Sequence, residues 1–476
     1  MIKNLKRLMF LVVNSTVFLV MGATTDNQTD DLSLILVNRP LPFQIKVELA
    51  GFTLPNGIHS YAQSTFDGKW LFIAGRTNGM HSFLPGDNNF PPSAQNQVIY
   101  VVDPVTQTVY SKSLTDPKAG LTAKQIDLLS VTNPQFYTLN CTLYMTGGYG
   151  VDSETGLFST KDALSAINVP RLMQWVMNPD PQDSAANYIR QIFHPVFQIT
   201  GGSMFKFAHH PTLLVFGQNF EGFYHDDSNG DYSEQVRRFD IIDDGNILDV
   251  DVKPSKPHCP LEIYRRRDLN IVPIIHYTKG RYRQQLIAFS GVFTLEEGIW
   301  TIPVNIDSNG NSSMLPPTSA KAFKQGMNNY SCPTIGLFSQ ATKDMYTIFM
   351  GGISYGYFIG DIFFATDAEI PFINQITTIK YSADEKYTQY LMDEEYPVII
   401  STGPNAGNPL LFGASAMFIP SGDALVYGHD VLNLDALTGS TVIGYVVGGI
   451  QSTVPNTSVP GDSAASPYIF KVSIIR

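Results

Sequence analysis

Trp70-Leu71-Phe72-Ile73-Ala74-Gly75 is an apolar, β-prone run that climbs to a glycine, and the chain repeats the pattern five more times. The later copies are Leu143-Tyr144-Met145-Thr146-Gly147, Leu213-Leu214-Val215-Phe216-Gly217, Leu286-Ile287-Ala288-Phe289-Ser290-Gly291, Tyr346-Thr347-Ile348-Phe349-Met350-Gly351 and Val442-Ile443-Gly444-Tyr445-Val446-Val447-Gly448. Their glycines recur every 60–75 residues or so, with one longer last interval. A fixed-period repeat of several strands indicates a propeller or solenoid rather than a string of unrelated domains. Runs apolar on both faces suit strands sandwiched between neighbouring sheets.

Each repeat reads as four strands. A mixed run such as Ile58 to Phe66 comes first, the turn Asp67-Gly68 follows, and the glycine-ended run is second. After a loop come two more strands, here Val98 to Val102 and Val109 to Leu114. The first-strand role then falls to Pro134–Asn140, Phe197–Ala208, Leu269–Thr278, Cys332–Gln340 and Phe412–Pro420. In the last repeat Tyr468 to Ile474 serves as third strand, which places Gly448 rather than Gly428 at the marker position. Its fourth strand is expected from the other chain end, Ile45–Phe52, because closing a ring with both termini removes free sheet edges. Two segments in the last interval, Tyr381 to Asn408 and Ser421 to Gly439, exceed what the repeat needs.

Gly147-Gly148, Gly351-Gly352 and Gly448-Gly449 are diglycines that close apolar strands. On these doublets the chain, from about residue 44 to 476, resembles the kelch-type, galactose-oxidase-like propellers. The resemblance implies an all-β fold of six four-stranded antiparallel blades, and it extends to secreted bacterial kelch-like proteins of unassigned function. Gly75, Gly217 and Gly291 lack a second glycine, and with only three tryptophans the kelch tryptophan is mostly absent. No Cys-Tyr and two-His copper set is assignable, so galactose-oxidase chemistry does not follow.

Lys3, Lys6 and Arg7 precede an apolar stretch from Leu8 to Met21, and Gly22-Ala23 supply small residues for cleavage. Residues 1–23 read as a signal peptide, 24–43 as a linker and 44–476 as one domain. The stretch is short and polar for a membrane span, so a secreted or periplasmic protein with no span after cleavage is expected. Losing three positive charges with the leader takes the formal charge from −11 to −14. So acidic a surface argues against nucleic acid as a partner. Three cysteines, Cys141, Cys259 and Cys332, allow one disulfide and one leftover thiol.

The loops after the glycine-ended strands are long: Arg76 to Gln97, Tyr149 to Asp162, Gln218 to Glu234, Ile353 to Asp361 and Ile450 to Pro467. They share one face, and long loops on a rigid scaffold carry binding. That rim gathers His59, Arg76, His81, Tyr149, Glu221, Arg267, Asp268 and Tyr355 as candidate ligand-binding residues. Arginines suit a carboxylate through bidentate hydrogen bonds, and aromatics suit a sugar ring. Each also has a plain structural reading: Arg265-Arg266-Arg267-Asp268 as ion-paired staples between blades, the histidines bonded to backbone, the tyrosines as packing. His225 to Asp231 spaces oxygen ligands as calcium loops do, but Tyr232 and Arg238 occupy places where an EF-hand needs glycine and glutamate. There is no His-Glu-x-x-His, P-loop, Gly-x-Ser-x-Gly or Gly-x-Gly-x-x-Gly, so neither a metal nor a cofactor is expected.

The expectation is therefore a monomeric extracytoplasmic protein binding a ligand, an acidic glycan foremost, on its long-loop face. A glycan-active hydrolase or lyase is the first alternative, with Asp268 or Glu221 as acid and His59 or Tyr149 as base, although the Ser-x-Asp-x-Gly-x-Thr-Trp boxes of sialidases are missing. A protein–protein scaffold is the second, and it predicts a broad apolar patch instead of a polar funnel.

Overall fold

The computed structural model describes residues 32–476 other than 83–86, 226–229, 297, 365–369, 404, 423, 425, 458 and 460. The expected signal peptide, and with it the first part of the linker, lies outside the described residues, as does half of the calcium-like loop.

The protein is all-β, with antiparallel four-stranded units in chain order. The first sheet is Ala62–Phe66, Lys69–Ile73, Val98–Asp103 and Thr108–Ser113. The second to fourth sheets begin at Gln135–Leu139, Ser203–Lys206 and Asn270–Thr278 and are built the same way. The fifth holds Thr334–Phe338, Met345–Ile353, Phe372–Tyr381 and Tyr387–Glu395, so much of the surplus 381–408 is its long outer hairpin. The sixth is Met417–Pro420, Ser440–Val447 and Tyr468–Ile475, and Gln44–Thr53 pairs antiparallel with Tyr468–Ile475 as its fourth strand. The marker of this sheet is thus Gly448, and the N-terminal strand takes the place expected of it.

The glycine-ended strands are the buried ones. Leu71, Phe72 and Ile73 have no exposed surface, nor do Leu213, Leu214 and Val215. Apolar clusters join each sheet to the next. Leu71 and Val101 pack with Leu143 and Ile167, Leu164 with Leu214, Leu213 with Leu286, Phe289 with Phe349, and Ile348 with Val446. A sixth cluster puts Val447 and Ile469 of the sixth sheet against Trp70 and Phe72 of the first. Burying a side chain of this size contributes about 1.5–3 kcal/mol, so these interfaces dominate cohesion.

At the end of every glycine-ended strand two consecutive residues take left-handed backbone. These are Ala74-Gly75, Gly147-Gly148, Phe216-Gly217, Ser290-Gly291, Gly351-Gly352 and Gly448-Gly449. The repeats lacking a second glycine keep the diglycine conformation and place Ala74, Phe216 or Ser290 in it, with φ of 65°, 54° and 46°. At Gly448 a side chain is excluded outright, because a Cβ there would lie 2.3 Å from the Ile58 carbonyl oxygen.

Three features depart from the sequence reading. Residues in the expected linker belong to the fold: Ile35–Leu36 pairs parallel with Tyr387–Glu395, and Phe43 is buried. Helix α1 (Ala123–Leu129), closed by a Thr122–Gln125 capping box, precedes the second sheet. Helix α2 (Val169–Met177), capped by Asn168, replaces a tight turn between that sheet's last two strands and buries Leu172, Trp175 and Val176 beside the first sheet. Cys141 and Cys259 are exposed, Cys332 is buried, and none is bonded to another.

Candidate functional site

The backbone builds the site by repetition. Just before each first strand one residue pairs with the residue that follows the left-handed doublet: His59 with Arg76, Thr132 with Tyr149, Thr200 with Gln218, and Arg267 with Val292. Tyr330 donates its N–H to the Ile353 carbonyl at 3.1 Å, and Ala414 pairs with Ile450. The six residues His59, Thr132, Thr200, Arg267, Tyr330 and Ala414 thus hold one structural position in six repeats, and all line a single pocket of about 70 Å³.

The next residue in five repeats is Ser60, Asn133, Gly201, Asp268 or Ser415, and each has φ between 48° and 66°. Their main chains link across sheets. Ser60 N–H donates to Ser415 O at 3.3 Å, Asn133 N–H to Ser60 O at 3.1 Å, and Asp268 N–H to Gly201 O at 2.8 Å. Beyond this constriction lies a channel of about 600 Å³, lined by the first strands of all six sheets, and the five residues border both spaces.

Arg267 dominates the pocket. Its Nε donates to Tyr232 Oη at 3.1 Å, its Nη2 to Tyr224 Oη at 3.0 Å, and its Nη1 to Asp268. Burial works against its charge, but the Tyr224, Asp268 and Tyr232 oxygens outweigh that and raise its pKa above the ordinary value. Asn133 Nδ2 donates to Asp268 Oδ1 at 3.4 Å. Tyr330 also bonds Asp268, and burial, then that carboxylate, pushes its phenol up. Phe90, Tyr149, Phe220 and Tyr224 form an aromatic wall, with Phe90 and Tyr224 edge to face at 5.6 Å.

The histidines are neutral near pH 7. Burial, then Arg76, lowers His59 to about 3; burial, with smaller contributions from Arg267 and Arg76, lowers His81 to about 4. His59 Nδ1 lies 3.0 Å from Ser60 Oγ, while its Nε2 is enclosed without a hydrogen-bond partner. His81 meets the Phe90 and Tyr224 rings at 4.8 and 4.9 Å. Among the described lining residues Arg267 and Asp268 offset each other.

Of the eight residues singled out in the sequence, His59, His81, Tyr149, Arg267 and Asp268 line this pocket. Arg76, Glu221 and Tyr355 do not. Arg76 is buried behind it, its Nε on Asn78 Oδ1 at 2.9 Å and its guanidinium 4.7 Å over the Phe90 ring. Glu221 is exposed and bridges to Ser159. Tyr355 donates its N–H to Asn329 Oδ1 at 2.9 Å and does not line the pocket. The expectation that the Arg-Arg-Arg run pairs with acids holds only for Arg267. Arg265 stacks 3.9 Å over Tyr232, and Arg266 donates to the Ser290 and Ile302 carbonyls, both at 3.1 Å. Phe90, Tyr224 and Tyr330 also line the pocket, and position 330 is equivalent to 59 and 267.

Among the described residues, no group of three His, Cys, Asp or Glu side chains is gathered to hold a metal ion, and no helix is long and apolar enough to cross a membrane. No family model matches the chain, and no curated protein is similar to it. Among solved structures it is similar to one titled "Structure of YjhT", with a TM-score of 0.47 and 12% identity over 89% of this chain and 99% of that one.

Proposed function

We propose that the six sheets are the blades of a closed, kelch-type propeller, exported by its N-terminal leader, whose axial mouth binds an uncharged hydroxylated ligand, a glycan terminus foremost. The closed-ring reading is supported by the six interfaces that lead back from the last sheet to the first and by the six left-handed doublets. The observation that carries the ligand reading is the Arg267–Asp268 pair inside an aromatic wall. The guanidinium is already met by a carboxylate and two phenols, so an acidic sugar would have to displace Asp268, whereas hydroxyls can share its remaining N–H groups. His59 Nε2 supplies one more unspent polar atom. A volume of about 70 Å³ is well below the roughly 300 Å³ or more of pockets that engulf a ligand, so only the end of a chain enters.

Arg267, Asp268, Tyr330 and His59 do line one pocket, which is what the glycan-active enzyme requires. Two facts favour binding over turnover. Among the described lining residues Asp268 is the only carboxylate, where glycoside hydrolysis uses a pair. A base at about 3 and a phenol held above its ordinary value are far from the working pH that general catalysis needs.

A glycan array on the protein lacking residues 1–23, beside its Arg267→Ala and Tyr330→Phe variants, tests the reading. Neutral glycans bound by the wild type and lost by the variants support it. Binding confined to acidic glycans overturns the neutral assignment, and silence from folded protein removes the saccharide reading. Release of new reducing ends from a bound glycan would instead favour the enzyme.

A further inference from the structure

At the opposite end of the strands from Arg267, short turns frame a cavity of about 510 Å³. That volume lies within the roughly 300–1,000 Å³ typical of small-molecule sites. The cavity spans the third to sixth repeats, and among the described residues no Asp, Glu, Lys or Arg lines it. Its aromatic side is a continuous train: Tyr282 meets Phe338 edge to face at 5.8 Å, and Phe338 meets Tyr427 at 5.6 Å. Tyr282 is 47% exposed, an open platform on a buried support, since Phe338 is 1% exposed. Its polar side is Gln284, Gln340, Ser308 and His210.

The cavity exists because of the segment that the repeat does not need. Within the surplus 421–439, Leu432–Asn433 pairs parallel with Leu337 and Phe338, extending the fifth sheet at its inner edge. That docking sets Tyr427 and Gly428 against the cavity. Tyr427 Oη is enclosed with no hydrogen-bond partner. Gly428 leaves the entrance open beside Gln284, where a Cβ would stand 2.9 Å from the amide Nε2. On the facing wall His210 is held by both ring nitrogens, Nδ1 to Asn309 Oδ1 at 3.1 Å and Nε2 to Ser308 Oγ at 3.2 Å. The walls are thus preorganised, which lowers the cost of binding.

We infer that this cavity is a second binding site, for a neutral saccharide of one or two rings. A sugar ring has an apolar face and a rim of hydroxyls that both donate and accept. Tyr282 offers the flat surface, and two primary amides with the Tyr427 hydroxyl offer both hydrogen-bond senses. With no Asp, Glu, Lys or Arg among the described lining residues, a neutral ligand is favoured over an acidic or basic one. A proline-rich peptide would use the aromatics and donors but not the acceptors.

The test is ligand-observed NMR with cellobiose, maltose and N,N′-diacetylchitobiose at millimolar concentration, on the full chain and on Tyr282→Ala and Gln284→Ala. Both side chains are exposed, so both variants keep the fold, and neither alters what the axial mouth binds. At least one disaccharide is expected to bind, with affinity falling about tenfold in each variant, equivalent to about 1.4 kcal/mol. No disaccharide binding, or binding that survives both variants, overturns the proposal. A signal lost in Arg267→Ala and kept in Tyr282→Ala belongs to the axial mouth and also overturns it. Tyr282-dependent binding of a polyproline peptide in place of the sugars overturns the saccharide assignment.

Discussion

Arg266 and Arg267 are neighbours in the chain and sit in opposite electrostatic worlds. Arg266 is fully buried in the body of the protein, 4.7 Å over the Trp300 ring, with main-chain carbonyls and Met314 as its hydrogen-bond partners. Burial lowers it to about 9, and no carboxylate comes to its aid. Arg267 faces the pocket of about 70 Å³, where a carboxylate and phenols hold its charge firmly. The difference follows from alternation: successive side chains of an extended segment point to opposite sides. One arginine therefore organises main chain, and the next organises the side chains of the pocket.

The largest effect is expected where the arginine serves structure. Arg266→Met leaves the Ser290 and Ile302 carbonyls buried and unpaired, and denaturant unfolding is expected to lose about 3–5 kcal/mol. A loss below about 1 kcal/mol would erase the contrast between the two sites.

The pH response of the Arg267 pocket comes next. His59 and His81 have folded pKa values of about 3 and about 4, below the ordinary 6.5. The unfolded chain then binds more protons below pH 6.5, so stability falls as pH drops from 6.5 toward 4 and, for His59, toward 3. Each histidine costs about 1.4 kcal/mol of stability for each pH unit within its own window. Unfolding at pH 7 and pH 4.5 checks it, and His81→Phe should flatten the slope without touching the Arg266 region.

Arg267→Ala strands Asp268 without its counter-charge and is expected to cost about 2–3 kcal/mol. Adding Asp268→Asn should recover about half, because the amide needs no counter-charge. A strictly additive double-mutant cycle would show that the pair does not act as a unit.

Tyr232→Phe is the smallest change. It removes the hydroxyl that accepts from Arg267 Nε and from the Phe293 N–H at 3.3 Å, for about 1 kcal/mol by thermal or chemical unfolding.

Much of this molecule was legible in its residues. Alternating apolar runs, the Asp67-Gly68 type of turn and the diglycines sufficed for the four-strand repeats, the register at Gly448 and the strand 44–53 against 468–475. These are local: periodicity and turn residues leave marks on the residue types themselves, whereas the left-handed Ala74, Phe216 and Ser290 carry no such mark. Five of eight candidate site residues fell in one pocket because a position on the correct face is also local. Arg76 missed it by stacking on Phe90, and Glu221 by pointing to solvent. Neither choice is written in the spacing.

By itself the sequence determined which segments are strands, which glycine marks each repeat, and which end of each strand carries the long loops. Only the tertiary structure decided that His59, Arg267 and Tyr330 share a pocket, that Asp268 offsets Arg267 within it, and that the surplus 421–439 walls a cavity at the other end. The reason is physical. A strand reports its own burial through a period of two, but a charge reports nothing until its partners, brought from distant repeats, set its solvation and its pairing.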